Sequence, residues 1–270
     1  LSADRRVQAL VLRRIPYGDT SLVFHVFSRE AGRLGLMAKG VRRPKSRLDP
    51  VLQTGHLAEL QLLVREGREL QLVKDADLLE DFRGLREDYA RLISGLTVVE
   101  ALERTQLPEQ ADPALFDTAV AVMGLMAGPS PHPQNLVYWF LLFLLTHSGY
   151  GLDLAACSVC GRPWEDFRQR DGGGLDPREG RARCPDCRPG REETGLPPAL
   201  WRVLHFLLHA TPEEVGRREI TPATRHLLGT LLDLLLKAHL SPQLELQGLR
   251  QAEELETTLN TREKHGREAH

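Results

Sequence analysis

The chain is short of the signatures that mark the common enzyme classes. No Gly-Lys dipeptide occurs in its 270 residues, so the phosphate-binding loop of motors and P-loop kinases is missing. H-E-x-x-H and G-x-S-x-G are absent as well. No histidine is followed two residues later by glutamate, which removes the acid–base residue of a zinc deaminase. These absences point away from an enzyme. Long apolar runs are also lacking. The most apolar one, Leu136 to Leu145, is ten residues, whereas a membrane span needs about twenty, so it reads as a buried helix and no membrane partner is expected. Leu1 to Arg14 has no uninterrupted apolar core of signal-peptide length, which leads to a cytoplasmic expectation. Lysine is scarce, at 5 residues against 30 arginines, a compositional bias first and a phosphate preference second.

What is present is globular in character. Charged residues make up 27% and the apolar set 41%, enough for one large domain or two or three small ones. The net charge of −2 hides an asymmetry. Leu1 to Lys74 carries 14 Lys+Arg and 7 Asp+Glu, a balance of +7; the remainder carries 21 and 30, a balance of −9. A basic front on a slightly acidic chain suggests a polyanion partner, although an ordinary solvated surface is the simpler reading of charge alone.

The first eighty residues alternate like strands. Arg6 to Arg13, Ser21 to Phe27, Arg33 to Lys39, His56 to Val64 and Glu69 to Val73 are the five candidates. Tyr17-Gly18-Asp19, Glu30-Ala31-Gly32 and Glu66-Gly67-Arg68 supply turn chemistry between them. Five short strands in this span suggest a small barrel or sandwich, with a five-stranded barrel of the OB type as the leading expectation. From Asp81 the period becomes helical. Leu85, Tyr89, Leu92, Ile93, Leu96 and Val99 follow the spacing of an amphipathic helix. Asp112-Pro113 opens a helix over Ala114 to Met126, and the Pro-rich stretch from Gly128 to Pro133 ends it. Gln134 to His147 is apolar all round and is expected at the centre of a helical core. Thr211 to Glu214 has capping-box form, and Thr221-Pro222 opens a leucine-rich helix through Leu236 that is too short for a coiled coil. The polar tail Glu253 to His270 is expected to fray.

All four cysteines fall in one stretch, as Cys157-Ser158-Val159-Cys160 and Cys184-Pro185-Asp186-Cys187. Two C-x-x-C turns offer four thiolates for a tetrahedral Zn2+, one per chain. Two disulfides or four free thiols are the alternatives. Absence of a signal peptide argues against disulfides, and no thioredoxin-like setting accompanies either pair. A closed four-Cys shell leaves no position for substrate, so the site reads as structural. Gly172-Gly173-Gly174 lets the connecting segment fold back as a ribbon or hairpin.

Lys39, Arg42, Arg43, Lys45 and Arg47 place five cations in nine residues. In a loop leaving a strand they would converge on a phosphate backbone, with Arg13 and Arg14 as additions on the same front; a solvated basic loop is the alternative. OB folds often stack bases on aromatics, but the front domain offers only Tyr17, Phe24 and Phe27. The two phenylalanines fall on opposite strand faces, so at least one is expected in the core and binding is expected to be mainly electrostatic.

The opening with Tyr17-Gly18-Asp19 and the run Ala38 to Arg47 closely resemble the N-terminal signature of the bacterial RecO family. The likeness continues through Phe140 to Leu145, Ser148 to Leu154, Cys157 to Gly161 and Lys237-Ala238-His239-Leu240. It implies a multidomain α+β protein: a five-stranded OB-like β-barrel over residues 1–80 and an all-α domain over 81–270, with an inserted four-Cys zinc module at about 155–190. It further implies binding to single- and double-stranded DNA, annealing of complementary strands, work with RecR, contact with the tail of single-strand-binding protein, indirect action on the recombinase, and a nucleoid location. An acidic tail would need an apolar pocket rimmed by a cation, for which Arg202, Arg225 and Lys237 are candidates.

Overall fold

The computed structural model describes residues 2–65, 67–167, 173–187 and 194–251. Contacts divide the chain into two compact units, 1–129 and 130–270.

In the first unit, β1 (Ser2–Tyr17), β2 (Ser21–Ser28), β3 (Gly32–Ala38), β4 (Leu57–Arg65) and β5 (Leu70–Glu80) close a barrel in the order β1-β2-β3-β5-β4. Every pairing is antiparallel except the short parallel seam in which Gly35, Leu36 and Met37 face Leu70, Gln71 and Leu72. This is the strand order of the OB fold. β1 is sixteen residues long because it serves two neighbours: its first part pairs with β4 and its second with β2. A register shift between Val11 and Arg13 marks where it curls; an extra residue on one strand increases local twist and bends it. Val7, Ala9, Val11, Phe24, Leu36 and Leu60 are among the side chains that fill the interior.

The barrel's outer wall is covered on one side. Helix α1 (Tyr89–Thr105) packs against β1 and β2, and α2 (Pro113–Ala127) packs against α1. Leu10 and Leu12 point away from the barrel interior, yet both are buried. Phe27 meets Phe116 of α2 with ring centroids 5.9 Å apart, and Arg29 holds Asp117 through two hydrogen bonds of 2.8 and 2.9 Å. Both helices start on an aspartate cap: Asp88 accepts from the Arg91 amide and Asp112 from that of Leu115. The face that α1 buries differs from the one its leucine spacing suggests. Of the residues in that spacing, Leu85, Ile93 and Val99 are buried but Tyr89, Leu92 and Leu96 are exposed, and the buried face is completed by Ser94, Gly95, Thr97, Val98, Ala101 and Leu102. Small side chains allow close packing, and Ser94 and Thr97 return their hydroxyls to the carbonyls of Ala90 and Ile93.

The loop between α1 and α2 is stitched to the barrel at the β2–β3 turn, where the Glu109 amide donates to the Arg33 carbonyl at 3.1 Å. Gly32 sits there at φ 69, and a Cβ on it would lie 2.0 Å from the Gln110 carbonyl oxygen. Gly32→Ala should therefore cost about 2–4 kcal/mol, combining left-handed strain with overpacking against backbone that cannot rotate away. Urea unfolding of the two proteins checks this; a loss below about 0.5 kcal/mol would mean the loop moves aside freely.

The second unit is built around α3 (Pro133–His147), with α5 (Pro198–His209), α6 (Pro212–Arg217) and α7 (Pro222–His239) packed against it. The apolar run places Leu136, Phe140, Leu141, Leu144 and Leu145 out of water. Asn135 is buried and donates to the carbonyls of Val215 and Arg218, which ties α6 to α3. Thr211 and Glu214 form the reciprocal capping box, and Thr221 with Pro222 opens α7. The tail Glu253 to His270, Glu66 and Gly172 lie outside the described residues. Among the described residues no helix is long and apolar enough to cross a membrane.

Candidate metal centre and nucleic-acid interface

The cysteines are brought together by two tight turns on a small sheet. β6 (Gly173–Asp176) pairs with β7 (Arg181–Arg183) and with β8 (Thr194–Leu196), forming the folded-back ribbon that the glycine run suggests. In the first turn, the Gly161 amide donates to the Cys157 carbonyl at 2.9 Å, and Gly161 adopts φ 72. In the second, Pro185–Cys187 makes a 3-10 turn and the Cys187 amide donates to the Cys184 carbonyl at 3.1 Å. The turns are joined by the Ser158 amide on the Ala182 carbonyl and by an Arg162–Asp186 ion pair of 2.6 Å.

The module has its own support. Helix α4 (Trp164–Phe167) stacks Trp164 on Trp201 of α5 at 3.5 Å, with Phe167 edge-on to Trp164 at 5.0 Å. His239 at the end of α7 shares a 2.7 Å hydrogen bond with the Pro177 carbonyl and stacks on Tyr150.

Four Sγ atoms, of Cys157, Cys160, Cys184 and Cys187, lie within 4.8 Å of one another. Cys160 and Cys184 are 3.7 Å apart. A tetrahedral ion with metal–sulfur bonds of about 2.3 Å sets its sulfurs about 3.8 Å apart, so the donor set matches such an ion; a disulfide would require about 2.05 Å. None of the four is in a disulfide. Burial works to raise the Cys157 thiol, but the amides of Cys160, Cys184 and Val159 point at its sulfur and hold it at about 6. The Cys187 thiol is pushed up to about 12, first by Cys184 and then by Cys160, and burial raises Cys184.

The second candidate site lies on the first unit. The segment between β3 and β4 leaves the barrel at Lys39 and is anchored by buried Val41 and Leu52. The Arg42 amide donates to the Thr20 carbonyl, and the Arg42 side chain to that of Gly18, so the β1–β2 turn supports the loop. Gly40 turns at φ 68, and Lys45 is held at φ 67, where a residue with a Cβ rarely sits. Lys39, Arg42, Arg43, Lys45 and Arg47 are all exposed. Among the described residues no acidic side chain pairs with any of them; the ion pairs of the barrel are made by other cations.

The structure places Arg13 and Arg14 differently from those five. Arg13 is exposed but reaches Glu103 of α1 at 3.5 Å, a carboxylate that also meets His25. Arg14 is half-buried and bonds Asp49 and Gln53, so it braces the loop from within. Both Phe24 and Phe27 are buried, the first in the barrel and the second against α2. Tyr17, 57% exposed, is the aromatic left at the surface beside the loop's anchor turn. On the second unit, Arg225 bonds the Ile220 carbonyl and Lys237 pairs with Asp233, whereas Arg202 is exposed. Strand reasoning missed an aliphatic groove on the barrel's outer wall, formed by Met37, Leu63, Leu70 and Leu72. The runs Leu62-Leu63-Val64 and Leu70-Gln71-Leu72-Val73, apolar on both faces, were the available signal.

Two family models match the chain: Recombination protein O N terminal over residues 3–82 and Recombination protein O C terminal over residues 86–247. The chain is 34% identical to the DNA repair protein RecO of Heliobacterium modesticaldum over 229 residues, covering 84% of this chain and 82% of the relative. It is 34% identical to that of Frankia casuarinae over 188 residues, 68% and 73% of the two chains, and 29% identical to that of Rhodopirellula baltica over 221 residues, 80% and 77%. Barrel and helical body are thus matched in one order along one chain, and the protein belongs to the RecO family of DNA repair proteins.

Proposed function

We propose that the chain is a non-enzymatic recombination mediator that binds single- and double-stranded DNA and anneals complementary strands. The observation that carries this reading is the anchored loop from Lys39 to Arg47, whose five exposed cations have no acidic partner among the described residues. A loop already fixed at Val41, Leu52 and Thr20 loses little freedom on meeting a phosphate backbone. Arg13 adds positive potential at the edge, and Arg14 shapes the loop from behind. The division of labour that we propose gives DNA binding to the OB-like barrel of residues 1–80; the helices over 81–270 carry the module at about 155–190, although the first two of them, α1 and α2, belong to the compact unit 1–129 with the barrel.

The metal that we assign to Cys157, Cys160, Cys184 and Cys187 is one structural Zn2+. A thiolate-only set at tetrahedral spacing suits a soft, redox-silent ion, and four protein ligands leave no open position for water or substrate. When bound, the ion would cross-link the two turns; it has no part in chemistry on DNA.

The partners in this reading are RecR, the acidic tail of single-strand-binding protein, and the recombinase indirectly, met in the bacterial cytoplasm at the nucleoid; membership of the RecO family supports them. For the acidic tail, exposed Arg202 is the candidate contact on the second unit. The test is a fluorescence-anisotropy titration of the full chain against single-stranded and duplex oligonucleotides, joined to an annealing assay with quenched complementary strands. Binding of both forms, faster annealing with the protein present, and retention of RecR on the immobilised chain are expected. Absence of DNA binding at low salt would overturn the reading.

A further inference from the structure

Helix α1 carries more apolar surface than its packing against the barrel and α2 uses. Tyr89 is 50%, Leu92 36% and Leu96 38% exposed. These three lie on successive turns at the 3–4 spacing of one helix face, about 10 Å from first to last. They form a stripe open to solvent, on the helix whose other face is closed by Ser94, Gly95 and Ala101. Beside the stripe lies a cavity of about 530 Å3. Leu92, Leu96 and Val99 line it from α1, joined by Met123 of α2 and by Leu85 of the 3-10 turn Arg83–Arg86. Pro50 and residues 53–56 complete the lining. The bare backbone of Gly95 makes room for Leu85, because a Cβ there would lie 2.7 Å from a Leu85 methyl.

The charges divide between the cavity and its surroundings. Arg14 and Arg86 line the cavity, and each already meets a carboxylate, Asp49 for the first and Asp81 for the second. The inside is therefore close to neutral, which suits apolar side chains. The positive field comes from beside it. The five exposed cations of the basic loop end at Arg47, three residues before Pro50. An occupant of the cavity would lie in that field, which favours an acidic one.

We propose that the stripe and the cavity dock an amphipathic α-helix of a partner protein, with apolar side chains on one face and acidic residues flanking them. Helices pack by seating ridges of the 3–4 spacing into grooves of the same spacing, so the stripe on α1 is matched by a partner of the same pitch. An extended segment would need a strand edge to pair with, and the walls here are mainly helix and loop. The partner's apolar residues would cover Leu92 and Leu96 and enter the cavity, while its carboxylates would face the basic loop.

The test uses a synthetic helical peptide of about five turns, leucine on one face and glutamate on both flanks, with a twin that carries lysine in place of glutamate. Against the full chain the glutamate peptide should bind with a Kd of roughly 1–100 μM, more weakly as salt is raised. The lysine twin should bind at least about tenfold more weakly. Leu92→Ser with Leu96→Ser should weaken the glutamate peptide at least about tenfold; both side chains are exposed, and circular dichroism checks that the variant folds. On the wild-type chain, a photoreactive leucine in the peptide should crosslink within residues 50–56 or 85–99. No saturable binding, equal binding of the twins, an unchanged affinity in the folded variant, or crosslinks confined to other segments would each overturn the docking assignment. A wild-type chain that sediments as a dimer and a double variant that sediments as a monomer would overturn it too, since a second copy would then occupy the stripe. If the double variant does not fold, the crosslinking result on the wild type decides.

Discussion

Cys184→Ser is expected to reduce bound zinc from about one ion per chain to less than about a tenth. Cys184 is fully buried and lies 3.7 Å from Cys160, so its loss opens the inner side of the ligand shell. A serine hydroxyl cannot replace a thiolate at neutral pH, and three sulfurs do not complete a tetrahedron. Structural zinc supplies about 10–16 kcal/mol to small zinc-dependent folds. That exceeds what the module can hold by packing alone, because its sheet is three strands of three or four residues. Amide exchange should consequently accelerate through residues 153–187, while β1 to β5 keep the protection of the wild type, since none of their pairings involves this module. Metal uptake should also release protons and weaken as pH falls, because thiols must ionise to bind. Elemental analysis and exchange mass spectrometry on both proteins check the prediction. Zinc-free wild-type protein purified without chelators, or an unchanged exchange pattern in the variant, would refute it.

The clustering of the four cysteines was legible in the sequence because C-x-x-C spacing fixes local turn geometry whatever the rest of the fold does. The five strands were legible through period-two alternation, but their lengths were not. β1 extends to sixteen residues and β5 to eleven because barrel closure gives each of them two partners. Polar residues such as Arg5, Lys74 and Asp77 read as strand ends, yet here they decorate the outer wall of continuing strands. The helix at Tyr89–Thr105 was legible as a helix, while its buried face was set by Ser94, Gly95 and Ala101, whose smallness matters only against a specific neighbour. Arg13 and Arg14 illustrate the same limit. Adjacent in sequence and identical in type, they face different surroundings, Glu103 on one side of the strand and Asp49 with Gln53 on the other. Which cations remain free is a tertiary property. The loop from Lys39 to Arg47 escaped that ambiguity because it is long, turned by Gly40, and faces solvent.

That exposed loop gives the second large effect. Arg42→Ala with Arg43→Ala should lower affinity for single-stranded DNA by about 10- to 30-fold near 0.1 M salt. Each phosphate contact on a single strand releases about 0.7 of a counterion, so five contacts correspond to a log–log salt slope of roughly −3 to −4. Removing two contacts should flatten it by about one to one and a half. Between 50 and 200 mM salt, the wild type should then lose about a hundredfold in affinity and the variant about twentyfold. The loss should be alike across oligonucleotide sequences, because phosphate contacts carry no base information, and annealing should slow in parallel, since charge neutralisation is what lets two strands approach. The barrel should survive the change. The Arg42 amide keeps its bond to Thr20, and Val41 and Leu52 keep the loop in the core; only the exposed 3.3 Å contact of Arg42 with the Gly18 carbonyl is lost. Anisotropy at several salt concentrations, with circular dichroism on both proteins, makes the measurement. A folded variant with unchanged affinity and slope would move the DNA site off this loop. Exposed Arg178 and Arg181 beside the metal module would then be the next cations to neutralise, ahead of Arg183, which is already paired with Asp176 and Glu179.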